Sequence, residues 1–344
     1  MRLYEIIIEP FSGFATPLKG DTIFGSFCWQ AARERAILNG GLEPWIACYD
    51  ERPAVIFSSA WPCFLDNGKR VYALKRPDLP PSVLFSDKGG SLRDRMLNRK
   101  DNLKRTWMRV AEGLEFNLDQ AVYLNDQDLS NLAATQSSHV TGNLMGFTSG
   151  PYCINFDQPH NSVNRHSMTT GVGFAPYSTA SRHYYPETEL AIFVLVDEEA
   201  ADIEHIVTAV ERIGQTGFGA DASIGCGRFG IVNYEELGLP ASAQANAAYV
   251  LSPVIPQSDV FTDQFFRPFI RYGRHGDQLA TSASPFKNPV IMADEGAVFV
   301  PTDPKVLDKP YLGRAVSGIS KAMPATVHQG YAIHIPFRLE LNYA

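Results

Sequence analysis

Residues 217–230 read GFGADASIGCGRFG. Five of these fourteen residues are glycine, and the last six, Gly225 to Gly230, fit G-x-G-x-x-G letter for letter. A dinucleotide cradle of that pattern needs a strand before the glycines and a helix after them, so that the helix N-terminus faces the pyrophosphate. Here the order is reversed. Residues 190–196, LAIFVLV, form an apolar strand. Asp197 is placed to cap a helix through about Ile213, with Ile203, Val207, Val210 and Ile213 on its buried stripe and Glu198 and Glu199 in its first turn. A strand follows at 229–234. The stretch is therefore a flat loop between a helix and a strand, and dinucleotide binding is rejected on topology.

Working outward, residues 2–9, RLYEIIIE, are a strand ended by Pro10. A loop from Phe11 to Gly20 leads to Asp21, which is positioned to cap a helix reaching about Leu38, with Ile23, Phe24, Phe27, Cys28 and Ala31 at helical spacing. The segment PLKGDTIFG at 17–25 follows a strand and opens a helix, but its lysine precedes the glycine and an aspartate follows it. It is no Walker loop, only a modest anion site. Short strands are expected at 54–58 and 61–65. A helix is expected over 91–113, with Leu92, Met96, Leu103, Trp107 and Val110 as its stripe, and another near 128–135. Residues 136–185 show no sustained period, and a loop of that length is usually functional or disordered. After the connector ASAQANAA, strands are expected near 248–252, 265–272, 288–293, 297–300 and 331–338, with Asp294–Gly296 as a turn.

The chain has 344 residues and a formal net charge of −7, which counts against a free-standing nucleic-acid binder. The charge is segregated, however. Residues 91–110 carry seven Lys or Arg against two Asp, and 184–204 carry seven acidic residues and no Lys or Arg, as in a subunit with different faces for different partners. No apolar run is long enough to span a membrane, and the start MRLYEIIIEPFSG is no signal peptide, so a cytoplasmic location is expected. The five cysteines form no C-x-x-C pair, which argues against a zinc site and for reduced thiols.

Two loops taken together carry a resemblance. Thr16-Pro-Leu-Lys-Gly-Asp-Thr22 between a strand and a helix, and Gly217-Phe-Gly-Ala-Asp-Ala-Ser-Ile-Gly-Cys-Gly-Arg-Phe229 between a helix and a strand, resemble the RAMP superfamily of CRISPR proteins. Within it they are most similar to the subunit that caps the 5′ end of the guide RNA in the Csm-type (type III-A) effector. Asn164-Arg-His-Ser-Met-Thr-Thr170 resembles the family's N-R-x-T segment ahead of the strand entering the second helix. Gly330-Tyr-Ala-Ile-His-Ile-Pro336 resembles its closing strand. The matches run from residue 12 to residue 336, while residues 40–150 align to nothing. One departure stands out: after Gly219, where the family often has a basic residue, this chain has Ala220 and Asp221.

The resemblance implies an α+β fold of two ferredoxin-like (RRM-like) βαββαβ units, residues 1–238 and 239–344. The first would carry a helical insertion at about 66–150 and a protruding thumb hairpin at about 157–188. It implies that the crRNA 5′ tag is the ligand, that the large cyclase/polymerase-like subunit and the backbone RAMP subunit are partners, that target RNA is reached indirectly, and that antiviral defence is the role. The RNA-binding edge would combine Ser12, Phe14, Thr16, Lys19 and Gly20 with Phe218, Gly219, Ser223, Gly225, Gly227 and Arg228. Glycines let a loop lie against RNA, and successive free amides hold anions. Lys19 and Arg228 would meet phosphates, and Phe14 and Phe218 would offer stacking faces unless they pack in the core. Asn164 and Arg165 in the thumb, with neighbouring aromatic and basic residues, suit wedging between nucleotides. The basic helix at 91–110 would serve RNA or the large subunit.

No catalytic residue, cofactor or metal is assigned. The chain lacks a G-G-D-D signature and an H-D pair, and none of His139, His160, His166 and His183 has a serine or carboxylate partner at fixed spacing. The reading is thus a non-catalytic binding subunit. The alternative is a crRNA-processing endoribonuclease of the same superfamily, using histidine as general acid/base.

Overall fold

A computed structural model describes residues 1–85, 91–115, 117–144, 151–171, 173–242 and 244–341. Strand β1 (Arg2–Pro10) runs into helix α1 (Gly20–Arg33), the short helix α2 (Leu42–Ala47) and the long strand β2 (Val55–Asp66), which turns back into β3 (Lys69–Lys75). Helices α3 (Pro81–Leu84) and α4 (Leu92–Lys104) precede strands β4 (Trp107–Ala111) and β5 (Val122–Leu124). Helices α5 (Asp126–Gln136) and α6 (His139–Leu144) lead to a hairpin of β6 (Cys153–His160) and β7 (Tyr177–Tyr184). Then come β8 (Glu189–Val196), α7 (Ile203–Thr216) and β9 (Phe229–Leu237).

Seven of these strands form one antiparallel sheet in the order β5-β4-β3-β2-β8-β1-β9. Its centre is apolar on both faces: Ile6, Ile7 and Ile8 of β1 and every residue from Leu190 to Val196 are buried. Helix α1 contributes Ile23, Phe24, Phe27 and Ala31 to this core, and α7 contributes Ile206, Ala209, Val210 and Ile213. Each such isoleucine, phenylalanine or valine side chain contributes about 1.5–3 kcal/mol, so burial dominates the stability of the sheet–helix layer.

The second half comprises β10 (Ala247–Val250), β11 (Phe261–Phe265), β12 (Pro268–Arg271), β13 (Val290–Ala293), β14 (Val298–Pro301), β15 (Tyr311–Gly313) and β16 (Tyr331–Phe337). Its main sheet runs β11-β14-β10-β16-β15, with β12 and β13 as a separate pair. In the larger sheet β1 lies between β8 and β9, and β8 pairs with β2; in the smaller β10 lies between β14 and β16, and β14 pairs with β11. The expectation of a helical second unit is corrected here. Among the described residues from 244 to 341 there is no α-helix, only the 3₁₀ turns Asp277–Thr281 and Pro304–Asp308. Prolines explain this. Pro253 and Pro256 fall in the first crossover and Pro304, Pro310 and Pro324 in the second, each removing a helical N–H and clashing with the preceding turn.

The two halves share one core. Tyr249, Val298, Ile333 and Phe337 cluster with Ile56, Phe57 and Tyr72. Gln329 clamps the backbone of Phe57, accepting from its N–H at 3.0 Å and donating to its C=O at 2.8 Å.

Several boundaries differ from the sequence reading. The strands expected at 54–58 and 61–65 are one strand whose register shifts between Phe57 and Ala60. The helix expected over 91–113 ends at Lys104. Trp107 to Ala111 are instead a strand with alternating burial, Met108 and Val110 facing inward. A helical stripe and a period-2 strand share some spacings, and here the strand took the apolar residues. Helix α7 begins at Ile203, because Asp197 is occupied by Arg52 at 2.6 Å and by the amide of Glu199. The insertion at 66–150 contains strands β3 to β5 as well as helices, and it lies in part outside the described residues. No helix among the described residues is long and apolar enough to cross a membrane.

Candidate nucleic-acid interface

The strand order brings the two signature loops together. Because β9 pairs antiparallel with β1, the end of β1 meets the start of β9, with Pro10 opposite Phe229. Pairing continues beyond the strands. The amide of Phe11 donates to the carbonyl of Arg228 at 2.8 Å, the amide of Arg228 to Ser12 Oγ at 2.8 Å, and the amide of Gly227 to the carbonyl of Gly13 at 2.8 Å. On its other side the same loop pairs with the hairpin, Phe14 and Arg182 exchanging both backbone hydrogen bonds at 2.9 Å. Residues 11–14 are thus the middle of a three-layered edge, with the glycine loop on one side and the base of the β6–β7 hairpin on the other.

Further along, Thr16 meets the glycine loop. Its Oγ1 accepts the amide of Ala220 at 2.9 Å, and its side chain fills the space where a Cβ on Gly219 would stand. Gly227, with φ of +74°, lies against the backbone of Phe218, whose amide donates to the Gly227 carbonyl at 2.9 Å. A side chain there would meet backbone, so glycine is required at this crossing. The amides of Gly219, Asp221, Ala222 and Ser223 donate to no group among the described residues, and Gly219 and Ser223 are exposed. Successive free amides of this kind form an anion-binding concavity. Gly225 borders open space, and Arg228 is exposed, with no ion-pair partner among the described residues.

Four sequence expectations are corrected at this site. Phe14 and Phe218 are buried, Phe14 packing edge-on to Tyr184 and parallel to Phe229, so neither offers a stacking face in this structure. Lys19 does not point to solvent. Its Nζ pairs with Asp294 and, at 3.0 Å, with Glu295, and it lies 4.8 Å from the centre of the Phe269 ring. Asp21 is not the helix cap. It is buried in the first turn and holds Arg271 by two hydrogen bonds of 2.7 and 3.0 Å, while Lys19 occupies the cap position without a side-chain cap. Gly20 serves packing, since a Cβ would strike the carbonyl of Phe57 and the side chain of Ser252. Burial pushes the Glu295 carboxyl up to about 7, against the opposing pull of Lys19. These residues form an ionic seam between the halves, which leaves Arg228 and the unbonded amides as the groups of the loop pair open to an anion.

Asn164 and Arg165 are not brought to the loop pair. They sit beyond the tip of the β6–β7 hairpin in a tight turn, where the amide of Asn164 donates to Thr169 at 3.0 Å and Met168 has φ of +54°. Tyr177, at the far end of β7, is five residues from Arg182, about 17 Å at strand rise. The segment therefore belongs to the hairpin tip and does not lead directly into β8. Apart from half-buried Asn102, helix α4 is exposed along its described side chains, with Arg93, Arg99, Lys100 and Lys104 facing solvent beside exposed Met96 and Leu103.

Sequence reasoning missed two residues at the loop pair. Phe11, just past the strand-ending Pro10, is 67% exposed. His183, weighed in the sequence as one of four histidines without a fixed-spacing partner but not placed at the loops, lies against Gly13 and has its Nε2 at 2.9 Å from Ser181 Oγ. The signal for His183 was its pairing distance from Phe14, which needs the hairpin register.

No protein-family model and no curated protein matches the sequence. Solved structures do match in fold. A chain of a Csm1–Csm4 cassette crystallised with pppApA is 14% identical, with 100% of both chains covered and a TM-score of 0.54. A chain of a Csm3–Csm4 subcomplex of the type III-A CRISPR-Cas interference complex is 12% identical, covering 98% of this chain and 100% of the other, with a TM-score of 0.55. A Csm1–Csm4 cassette with cA4 gives 15% identity and a TM-score of 0.52. At these identities the likeness is one of fold, and it extends over the whole chain.

Proposed function

We propose that this chain is the guide-RNA-capping subunit of a type III-A CRISPR effector. In this reading both halves are ferredoxin-like units, the second stripped of its helices. The chain binds the repeat-derived 5′ tag of the crRNA without catalysis, docks the large cyclase-like subunit onto the backbone RAMP subunit, and works in the cytoplasm. The observation that carries the reading is the interlocked edge of residues 11–16 and 217–228, with free amides and an exposed Arg228 that has no ion-pair partner among the described residues, in a fold that matches chains of Csm-type assemblies end to end.

Co-expression with a large cyclase-like subunit and a backbone RAMP subunit tests it. Recovery of a complex holding short RNA, with crosslinks from the RNA 5′ end to residues 217–228, is the expected result. A monomer indifferent to RNA and to both subunits would reject the reading.

One observation favours keeping the endoribonuclease alternative under test: His183 lies at the loop pair, hydrogen-bonded to Ser181. Incubation with repeat RNA should give no cleavage. Cleavage abolished by His183→Ala would replace the binding-only reading.

A further inference from the structure

Beside the loop pair lies a cleft of about 570 Å³, lined by Phe11, Glu211, Gln215, Arg228, Gly230 and Ile231 among others. Phe11 is the only aromatic ring of residues 11–19 and 217–230 left exposed, since Phe14, Phe218 and Phe229 are all buried. Its position is fixed at both ends. The backbone amide is tied to Arg228, and the ring lies over Gly230, where a Cβ would fall 2.7 Å from Cζ and 2.9 Å from Cε2. Glycine at 230 therefore lets the ring rest on the backbone of β9 and keep its outer surface in water. A large aromatic held open in this way, at a sheet end next to an exposed arginine, is the arrangement by which proteins stack single-stranded bases.

We propose that this cleft takes one nucleotide of single-stranded RNA, with its base stacked on Phe11. The inference rests on the reading of this edge as an RNA site and adds where a base sits. Charge sets the orientation. Arg228 attracts a phosphate and the carboxylate of Glu211 repels one, so the phosphate lies toward Arg228 and the base edge toward Glu211 and Gln215. Gln215 and Glu211 then present acceptors to the amino and imino donors of a base.

The test uses the full-length protein and single-stranded RNAs carrying one fluorescent adenine analogue, moved along the strand. At one position, binding should change the analogue's emission through stacking. Phe11→Ala should abolish that change and weaken binding about tenfold, while Phe11→Trp should preserve both. Phe11 is exposed, so thermal midpoints of both variants should match the parent, which separates loss of stacking from loss of fold. If Phe11→Ala binds with unchanged affinity and unchanged emission, the cleft is not the base site, although the RNA-binding reading survives. If the parent protein binds no RNA under these conditions, both fall together.

Discussion

Lys19 Nζ stands 3.0 Å from Glu295 Oε2, joining the loop after the first strand to a turn 276 residues later in the other half of the molecule. Asp294 shares the same ammonium group, and Phe269 covers it. Lys19 thus joins the two halves. Lys19→Ala leaves two partly buried carboxylates facing each other and should cost about 3 kcal/mol in urea unfolding. Any change in RNA affinity should leave the salt dependence of binding unaltered. A stable variant with a shallower salt slope would return Lys19 to the phosphates.

Gly227 and Gly225 share a positive φ, +74° and +100°, but differ in surroundings. A Cβ at 227 meets the Phe218 backbone, whereas one at 225 meets open space. Gly225→Ala should cost about 1 kcal/mol from backbone conformation alone. Gly227→Ala should cost clearly more and loosen the loop. Thermal midpoints and proteolysis at 217–228 would show the contrast, and equal effects would refute it.

Thr16→Val removes the acceptor for the Ala220 amide while keeping the shape that fills the space beside Gly219. The expected loss is about 1 kcal/mol, with Thr16→Ser restoring the hydrogen bond. Faster hydrogen exchange at the Ala220 amide in the valine variant is the direct readout.

Acid should loosen the second half first. His275, His328 and His334 are buried, and burial lowers the pKa of each, that of His334 to about 4. The unfolded chain takes up these protons near pH 6.5, whereas folded His334 does not until about pH 4. Its contribution to stability is therefore complete above pH 6.5 and is lost as pH falls toward 4. His334→Gln, which can still donate to the Lys309 carbonyl, should flatten the melting-temperature profile across that window. An unchanged profile would show that other groups control it.

Arg228→Ala should lower affinity for single-stranded RNA and reduce the magnitude of the log–log salt slope by about 0.7, the value for one phosphate contact. Thermal stability should hardly move, because Arg228 pairs through its backbone and its side chain is exposed. An unchanged slope would mean that its side chain meets no phosphate.

The sequence by itself determined the central layer. The runs RLYEIIIE and LAIFVLV and the helical spacing of Ile203, Val207, Val210 and Ile213 give strands β1 and β8 and helix α7 from pattern alone, although of that stripe only Val210 and Ile213 are fully buried and Ile206 takes the place beside them. The meeting of the two loops was implied only by the resemblance, because pattern alone does not say that β9 pairs with β1. The tertiary structure decided which side chains of those loops remain available. Lys19, Asp21, Phe14 and Phe218 suit a ligand by type. Yet the second half of the chain folds onto that edge and takes the two charges into ion pairs, while the core takes the two rings. A side chain's chemistry is local, but its exposure depends on what packs against it from as far as 276 residues away. For that reason Phe11, Arg228 and the free amides of Gly219 and residues 221–223 could be told from their buried neighbours only in the folded molecule.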